Sequence, residues 1–179
     1  MGLRKALAYS KKKARPYTRN SRRKDKSYIK TIPFSKIVKF SGGDQKGYEE
    51  GKHTYQVKLI ANEWAQIRDN ALEACRLLIT KQLDNNALGQ YFLEVKVHPH
   101  HFLRENKSAA AVAGADRIST GMTQSFGVII GRAGMVNAGK EILFVSCANE
   151  KTARVARNAL VMVKSKVPCK TKIVFEKIR

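Results

Sequence analysis

The chain has 179 residues, enough for one domain with extensions, and 43% of them are hydrophobic, so it can bury a core and is not simply disordered. Its 35 Lys and Arg residues outnumber 14 Asp and Glu residues, and the resulting net charge of +21 indicates a polyanionic partner, nucleic acid first and an anionic membrane surface second. No apolar run approaches the roughly 20 residues of a membrane span and no secretory signal is visible, so we expect a cytoplasmic protein.

The first part of the chain is a basic arm, predicted over residues 1–34. Its first 30 residues contain twelve Lys or Arg residues against Asp25 alone and few large apolar residues, so we expect it to order only on its partner. Tyr9, Tyr17 and Tyr28 either stack on unpaired bases or anchor the arm against the domain. The candidate rRNA-binding residues of the arm are Arg4, Lys5, Lys11, Lys12, Lys13, Arg15, Arg19, Arg22, Arg23, Lys24 and Lys26.

Residues 35–179 are predicted to form a single α+β domain that contains two strand–helix–strand units. Alternation of apolar and polar residues or helical spacing of apolar residues indicates each element. The first unit follows a short strand at 35–40 and a turn region at 41–51, and comprises a strand at 53–60, a helix from an Asn62 cap to about residue 83, and a strand at 90–97. The second unit comprises a strand at 141–147, a helix from an Asn149 cap to about residue 166, and a strand at 170–178.

Catalytic and ligand-binding motifs give no positive evidence for chemistry. The stretch "GMVNAGKE" (134–141) is close to a phosphate-binding loop, but Glu141 stands where a hydroxyl is required and a strand follows instead of a helix. The run "HPHH" (98–101) lacks further ligands at metal-binding spacing, so we expect histidines at a strand end near an anionic surface. The cysteines are dispersed and predict reduced, packed thiols. We therefore predict no enzyme, no metal, no cofactor and no dedicated small-molecule substrate.

The long connection between the two units, residues 98–140, is predicted to be functional because ordinary connections are much shorter. An extended loop is predicted over about 103–136. The whole connection holds half of the chain's 12 glycines, and glycine permits close backbone approach. Within it, "HPHHFLRENK" followed by "AGADRISTGMTQSFG" strongly resembles the large-subunit ribosomal protein family called L-ten-e in archaea and eukaryotes, the counterpart of bacterial L-sixteen. The stretches "IRDNALEACR" (67–76), "MGLRKA" and "PYTR" also resemble that family, so the resemblance covers nearly the whole chain.

The resemblance implies a hammerhead-type fold, with two helices packed on a mixed β-sheet. It also implies large-subunit rRNA as partner, with the loop reaching toward tRNA near the peptidyl-transferase centre. The tRNA-facing residues would be Arg104, Asn106, Lys107, Arg117, Gly121, Met122 and Arg132. The chain departs from the family pattern at Thr123, Val128 and Ile129, which predicts a loop tip that acts through backbone fit and small apolar contacts.

The resulting interpretation is a structural RNA-binding protein of the large ribosomal subunit, a monomer within the ribosome beside neighbouring ribosomal proteins. Phosphate contacts would place it, while the shape of the RNA would give specificity. A peripheral membrane-binding basic protein is the alternative, although residues 1–30 lack the amphipathic pattern that such a protein needs.

Overall fold

The computed structural model describes residues 7–11, 16–18, 23, 29, 31–105 and 127–178. Three helices and eight strands lie within these ranges. The strands are β1 (Ser41–Gly43), β2 (Tyr55–Ala61), β3 (Ala65–Arg68), β4 (Tyr91–Val95), β5 (His101–Glu105), β6 (Val128–Val136), β7 (Glu141–Cys147) and β8 (Thr171–Lys177). The helices are α1 (Gln45–Glu49), α2 (Asp69–Ala87) and α3 (Glu150–Val163), and a 3-10 turn follows α3 at Lys164–Lys166.

The larger sheet has five strands in the order β1-β4-β7-β2-β8, and it interleaves the two predicted strand–helix–strand units. Strands β2 and β4, joined by α2, both run antiparallel to β7, which lies between them. Strands β7 and β8, joined by α3, likewise both run antiparallel to β2. Each unit therefore has parallel strands separated by a strand of the other unit.

The α+β class is confirmed, but the prediction of a mixed sheet is wrong for the strands described. Every pairing between these strands is antiparallel, because the strands of one unit take their neighbours from the other. Spacing along the sequence identifies strands and helices but does not say which strands become neighbours. The hammerhead arrangement stays a prediction.

Helices α2 and α3 pack against each other and on the five-stranded sheet, and the main core lies in this layer. The predicted apolar face of α3 is confirmed, since Ala153, Ala156, Leu160 and Val163 are all fully buried.

The buried thiols of Cys75, Cys147 and Cys169 are free, and burial raises the pKa of the first two to about 12. These cysteines are packed as small apolar side chains and are poor nucleophiles.

The prediction of one helix from an Asn62 cap is wrong at its start. Residues 65–68 form β3, which pairs with β6 from Ala65 opposite Val136 to Arg68 opposite Ala133. Helix α2 begins only at Asp69, after an extended Arg68, and continues to Ala87, where Gly89 with φ +73° follows. A stretch of four residues such as "AQIR" is too short for its pattern to distinguish a strand from a helix, so pairing with a distant strand decides its conformation.

The predicted strand at 35–40 is also wrong, because these residues run along α2 without regular structure. The Lys36 and Val38 amides donate to the carboxylates of Asp69 (2.9 Å) and Glu73 (3.3 Å). The region 41–51, predicted to be turns, instead contains β1, paired with β4, and the one-and-a-half-turn helix α1. Side-chain acceptors of α2 therefore satisfy backbone amides that a strand would have paired in a sheet.

The smaller sheet has the order β3-β6-β5, and two of its strands, β5 and β6, lie inside the region that the sequence predicted as a long connection. Strand β6 occupies 128–136, so Val128 and Ile129 begin a strand and do not form a loop tip. Within β6, a Cβ added to Gly134 would lie only 2.4 Å from Val97 Cγ1, which explains a glycine at this crossing. Among the residues described, no helix is long and apolar enough to cross a bilayer.

Candidate nucleic-acid interface

The candidate interface is built on the antiparallel pair β5–β6. Register runs from His101 opposite Ala133 to Glu105 opposite Val128, with an irregularity between Leu103 and Arg104. The predicted loop therefore leaves the sheet after Glu105 and returns at Val128, two positions that face each other across the ladder. Its residues 106–126 lie outside the described part of the chain.

Arg104 lies near the end of β5, at the point where this loop begins. Its guanidinium carbon lies 3.8 Å from the centre of the Tyr17 ring, close enough for a cation–π contact. The flat guanidinium therefore stacks on an aromatic side chain of the N-terminal segment. Arginine suits such a position in a nucleic-acid interface, because its planar guanidinium both stacks on aromatic rings and forms bidentate contacts with phosphate.

Arg132 lies on β6, opposite Phe102 in the ladder. Its Nε donates to the Pro33 carbonyl at 2.9 Å, and its guanidinium carbon lies 5.3 Å from the centre of the Phe102 ring. These contacts fix the direction of a half-buried cation and connect the segment before β1 to the smaller sheet. Arg104 and Arg132 are thus brought onto one paired stem, and both are oriented by aromatic neighbours.

The N-terminal segment packs against both outer strands of the smaller sheet. On one edge, the Gln66 amide of β3 donates to the Ser10 carbonyl at 2.9 Å, and Ser10 is 1% exposed. On the other edge, the Phe102 amide of β5 donates to the Tyr17 carbonyl at 3.1 Å. The expectation that the arm orders only on a partner is therefore wrong for these residues, because exposed strand edges supply backbone partners. For Tyr17, the anchoring role is confirmed.

His101 completes this contact and was missed as an internal residue. The Tyr17 amide donates to its Nδ1 at 2.8 Å, and the side chain is buried, not at an anionic surface as predicted. Burial, and then the nearby Arg104 and His100, lowers the pKa of His101 to about 4. The neutral ring is required here, since protonated Nδ1 could not accept the Tyr17 amide. Nothing in the sequence around His101 indicates that Tyr17, 84 residues away, is its partner.

The remaining candidate residues divide into two groups. Lys11 and Arg23 are described and exposed on the N-terminal segment, as expected of phosphate-binding cations. The candidates outside the described residues are Arg4, Lys5, Lys12, Lys13, Arg15, Arg19, Arg22, Lys24, Lys26, Asn106, Lys107, Arg117, Gly121 and Met122. Within the described ranges, no group of three His, Cys, Asp or Glu residues is placed to hold a metal ion.

Exposed cations also lie on α3, away from the predicted arm. Lys151, Arg154 and Arg157 are exposed on this helix, and Arg154 pairs with Glu150 at 2.7 Å. Their positions off the apolar stripe were a visible sequence signal, although the specific assignments concentrated on the arm and the loop. An exposed pair of this kind contributes little to stability, so these side chains are available for a polyanion at small cost.

Comparison with known proteins finds similarity along nearly the whole chain. Residues 12–174 match the profile of the family described as ribosomal protein L16p/L10e. The large ribosomal subunit protein uL16 of Staphylothermus marinus is 41% identical over 180 residues, covering 100% of this chain and 97% of the relative. The proteins of the same name from Saccharolobus islandicus and Saccharolobus solfataricus are each 39% identical over 175 residues, covering 97% of this chain and 92% of the relative. The chain therefore belongs to the ribosomal protein L16p/L10e family.

Proposed function

We propose that this protein is a structural constituent of the large ribosomal subunit that binds large-subunit rRNA and helps to position aminoacyl-tRNA near the peptidyl-transferase centre. The observation that carries the proposal is the β5–β6 stem, which holds Arg104 and Arg132 and from which the loop departs and returns. It acts in the cytoplasm, as one copy in each ribosome, beside other ribosomal proteins. Membership in a family of ribosomal proteins means that it is not an enzyme.

The charge of the chain supports rRNA as the main partner. A net charge of +21 creates strong self-repulsion, which a polyanion relieves when it binds. Each Lys or Arg that neutralises a phosphate releases condensed counterions, so binding is tight at low salt and weakens steeply as salt rises. Closely packed rRNA helices then repel each other less, because the protein supplies positive charge between them.

The anchored N-terminal segment supports a defined orientation on the RNA. Ser10 and Tyr17 fix two points of the segment on opposite edges of the smaller sheet, so these two points have a constant relation to the stem. Arg104 lies over Tyr17 and therefore at the junction of the segment and the loop. Phosphate contacts from such a junction set position and register, while they carry little sequence information.

The tRNA-facing role rests on the geometry of the stem and the family resemblance. Because Glu105 and Val128 are paired, the loop projects from one fixed point of the sheet. A rigid stem is what a loop needs if it is to hold a substrate such as tRNA in one place. The candidates Asn106, Lys107, Arg117, Gly121 and Met122 belong to this loop, and we assign them positioning roles without any chemical step.

The rRNA part of the proposal is tested by removing arm charge without removing the arm. Lys11, Lys12 and Lys13 are replaced together by Gln, and the affinity of the full chain for large-subunit rRNA is measured over a range of salt concentrations. We expect weaker binding and a shallower salt dependence, by about 0.7 to 0.9 in log–log slope for each phosphate that the variant no longer neutralises. Truncation is less informative, because it would also remove the packing of Ser10 and of the buried Ile29.

The matched control removes the same charge elsewhere, with Lys46, Lys52 and Lys81 replaced together by Gln. These three side chains are exposed on and near α1 and on α2. We expect a smaller change of slope in this variant. An equal change in both triple variants would mean that net charge alone, and not the arm, governs binding, and binding of the unaltered chain to anionic vesicles instead of rRNA would favour the membrane alternative.

A further inference from the structure

We propose that a cavity beside Phe34 receives one unpaired nucleotide of large-subunit rRNA, with its base stacked on Phe34 and hydrogen-bonded to the amide of Asn70. The inference rests on the proposed rRNA binding and adds a specific contact that reads a base. The two residues proposed to hold the base, Phe34 and Asn70, are outside both the predicted arm contacts and the predicted tRNA-facing residues.

The cavity has a volume of about 620 Å³ and lies between the segment before β1, the start of α2 and strand β6. Phe34 and Lys36 line it from the segment, Asp69 and Asn70 from the helix, and Arg132 from the strand. This volume is within the range of sites that bind small organic groups, which is roughly 300 to 1,000 Å³. A nucleotide is such a group, with a flat apolar face and a polar edge.

Phe34 is the strongest indication of an aromatic ligand. Its side chain is 94% exposed, and it makes no ring contact with other described residues. Leaving a phenyl ring in water forfeits the stabilisation of about 1.5 to 3 kcal/mol that burial would give. Bases of single-stranded RNA stack on such rings, and stacking removes apolar surface of both the ring and the base from water.

Asn70 supplies a polar group for the edge of the base. Its Oδ1 is buried and has no hydrogen-bond partner among the described residues, although the residue lines the open cavity. A buried acceptor without a partner is costly, so a rotation that turns Oδ1 toward the cavity, where a ligand donor can reach it, would be favourable. The exocyclic amino group or ring N–H of a base is a donor of suitable size, and an amide pairs well with the N6–N7 edge of adenine.

The charges around the cavity favour a nucleotide over an apolar or cationic group. Lys36, Arg68 and Arg132 line it against the single carboxylate of Asp69. That carboxylate accepts backbone amides of Lys36 (2.9 Å) and Asn70 (2.8 Å), so both its oxygens already have donors. The net positive lining suits the phosphate that accompanies a base, while Phe34 and Asn70 hold the base itself.

The test replaces Phe34 in the full-length protein and measures binding to large-subunit rRNA together with nucleotide-resolution chemical probing of the complex. For Phe34→Ala we expect a loss of affinity of about five- to a hundredfold, the range for one stacked base, with an unchanged salt slope because no charge is removed. Probing should show one nucleotide losing its protection while the rest of the footprint remains. Phe34→Tyr should stay close to the unaltered protein, and Phe34→Leu should resemble Phe34→Ala.

A second variant and a control make the outcome specific. Asn70→Ala should expose the same nucleotide, and the effects of Asn70→Ala and Phe34→Ala should be less than additive because both groups hold one base. Leu88→Ala removes another exposed apolar side chain, at the end of α2, and should leave both affinity and footprint unchanged. Since Phe34 and Leu88 are exposed, neither substitution should change the free energy of unfolding by more than about 0.5 kcal/mol.

Several results would overturn the inference while leaving rRNA binding intact. One is full affinity and an unchanged footprint for Phe34→Ala; another is full recovery by Phe34→Leu, which would indicate an apolar protein contact or coverage by another part of this chain. Failure of the unaltered protein to bind large-subunit rRNA would instead contradict the proposed function itself. Measuring whether the unaltered protein binds large-subunit rRNA therefore distinguishes the two failures.

Discussion

The guanidinium of Arg104 lies 3.8 Å from the ring centre of Tyr17, and this stack joins the N-terminal segment to the strand from which the loop departs. Both backbone polar groups of Tyr17 are hydrogen-bonded to β5: its amide donates to His101 Nδ1, and its carbonyl accepts from the Phe102 amide. One residue of the basic arm thereby covers the outer edge of β5. The described part of the arm and the strand that leads into the loop are consequently in direct contact.

Replacing Tyr17 by Leu should loosen this junction, whereas Tyr17→Phe should retain most of it. The leucine variant keeps the backbone bonds but loses the cation–π interaction, which contributes about 0.5 to 2 kcal/mol depending on burial. We expect the difference between the two variants to appear as a lower free energy of unfolding in urea for Tyr17→Leu. Faster proteolysis within residues 1–30 of the leucine variant should accompany it, and equal behaviour of both variants would contradict a role for the ring.

Stability should fall in acid partly because of His101. Its pKa is about 4 in the folded protein and near 6.5 when unfolded, so the neutral form is favoured by folding. The contribution is fully present above pH 6.5 and is lost as the pH falls from there toward 4. A shift of this size corresponds to up to roughly 3 kcal/mol at neutral pH.

The measurement compares urea unfolding of the unaltered chain and of His101→Gln between pH 7 and pH 4. Glutamine offers an oxygen to the Tyr17 amide but does not titrate, so the gap in unfolding free energy between the two proteins should shrink as the pH falls. The carboxylates and His53 titrate in both proteins and cancel in the comparison. A gap that stays constant over this range would show that His101 does not contribute to the acid sensitivity.

Two glycines of β6 should respond differently to alanine. At Gly134 the new methyl carbon would lie 2.4 Å from Val97 Cγ1 and 3.1 Å from the His98 carbonyl oxygen, whereas at Gly131 nothing lies within 4 Å. We expect Gly134→Ala to lower the free energy of unfolding by about 1 to 3 kcal/mol, as overpacking does. Gly131→Ala should change it by about 0.5 kcal/mol or less, or raise it slightly through lower entropy of the unfolded chain. Thermal and urea unfolding of both variants measure this difference.

Replacing residues 106–127 by a short turn containing Asn-Gly should leave the domain folded. Glu105 and Val128 are already paired, and a shorter connection lowers the entropy cost of closure by up to about 1.5 kcal/mol. We expect cooperative unfolding with unchanged or higher stability, together with weaker tRNA binding by large subunits that carry the variant. Loss of cooperative unfolding would mean that the loop belongs to the core, and normal tRNA binding would contradict its proposed role.

Local pattern predicted those elements whose own residues carry a clear period. Strand β7 matches its predicted limits, and the buried face of α3 is the predicted one. The smaller sheet was missed because the local patterns of its members are weak: β3 is only four residues long, and β6 contains two glycines and a cation. Such segments become strands through hydrogen bonds with distant partners, which a local pattern does not reveal.

The candidate site divides in the same way. Arg104 and Arg132 were selected from the sequence as cations at the edges of the loop, and the structure places both on its stem. The partners that orient them, Tyr17, Phe102 and the Pro33 carbonyl, come from positions up to 99 residues away. Phe34 and Asn70 carry no distinguishing signal in the sequence, since exposure and an unsatisfied oxygen exist only in the folded chain.

The sequence by itself determined the charge of the protein, its two strand–helix–strand units and, through the loop and helix motifs, its family. These properties depend on composition and on residues close together in the chain, where periodicity and capping act. The tertiary structure alone decided that the two units interleave, that Ser10 and Tyr17 cover opposite edges of a second sheet, and that Phe34 lies beside an open cavity. The physical reason is that backbone pairing and burial are settled between distant segments, which compete for the same strand edges and the same core.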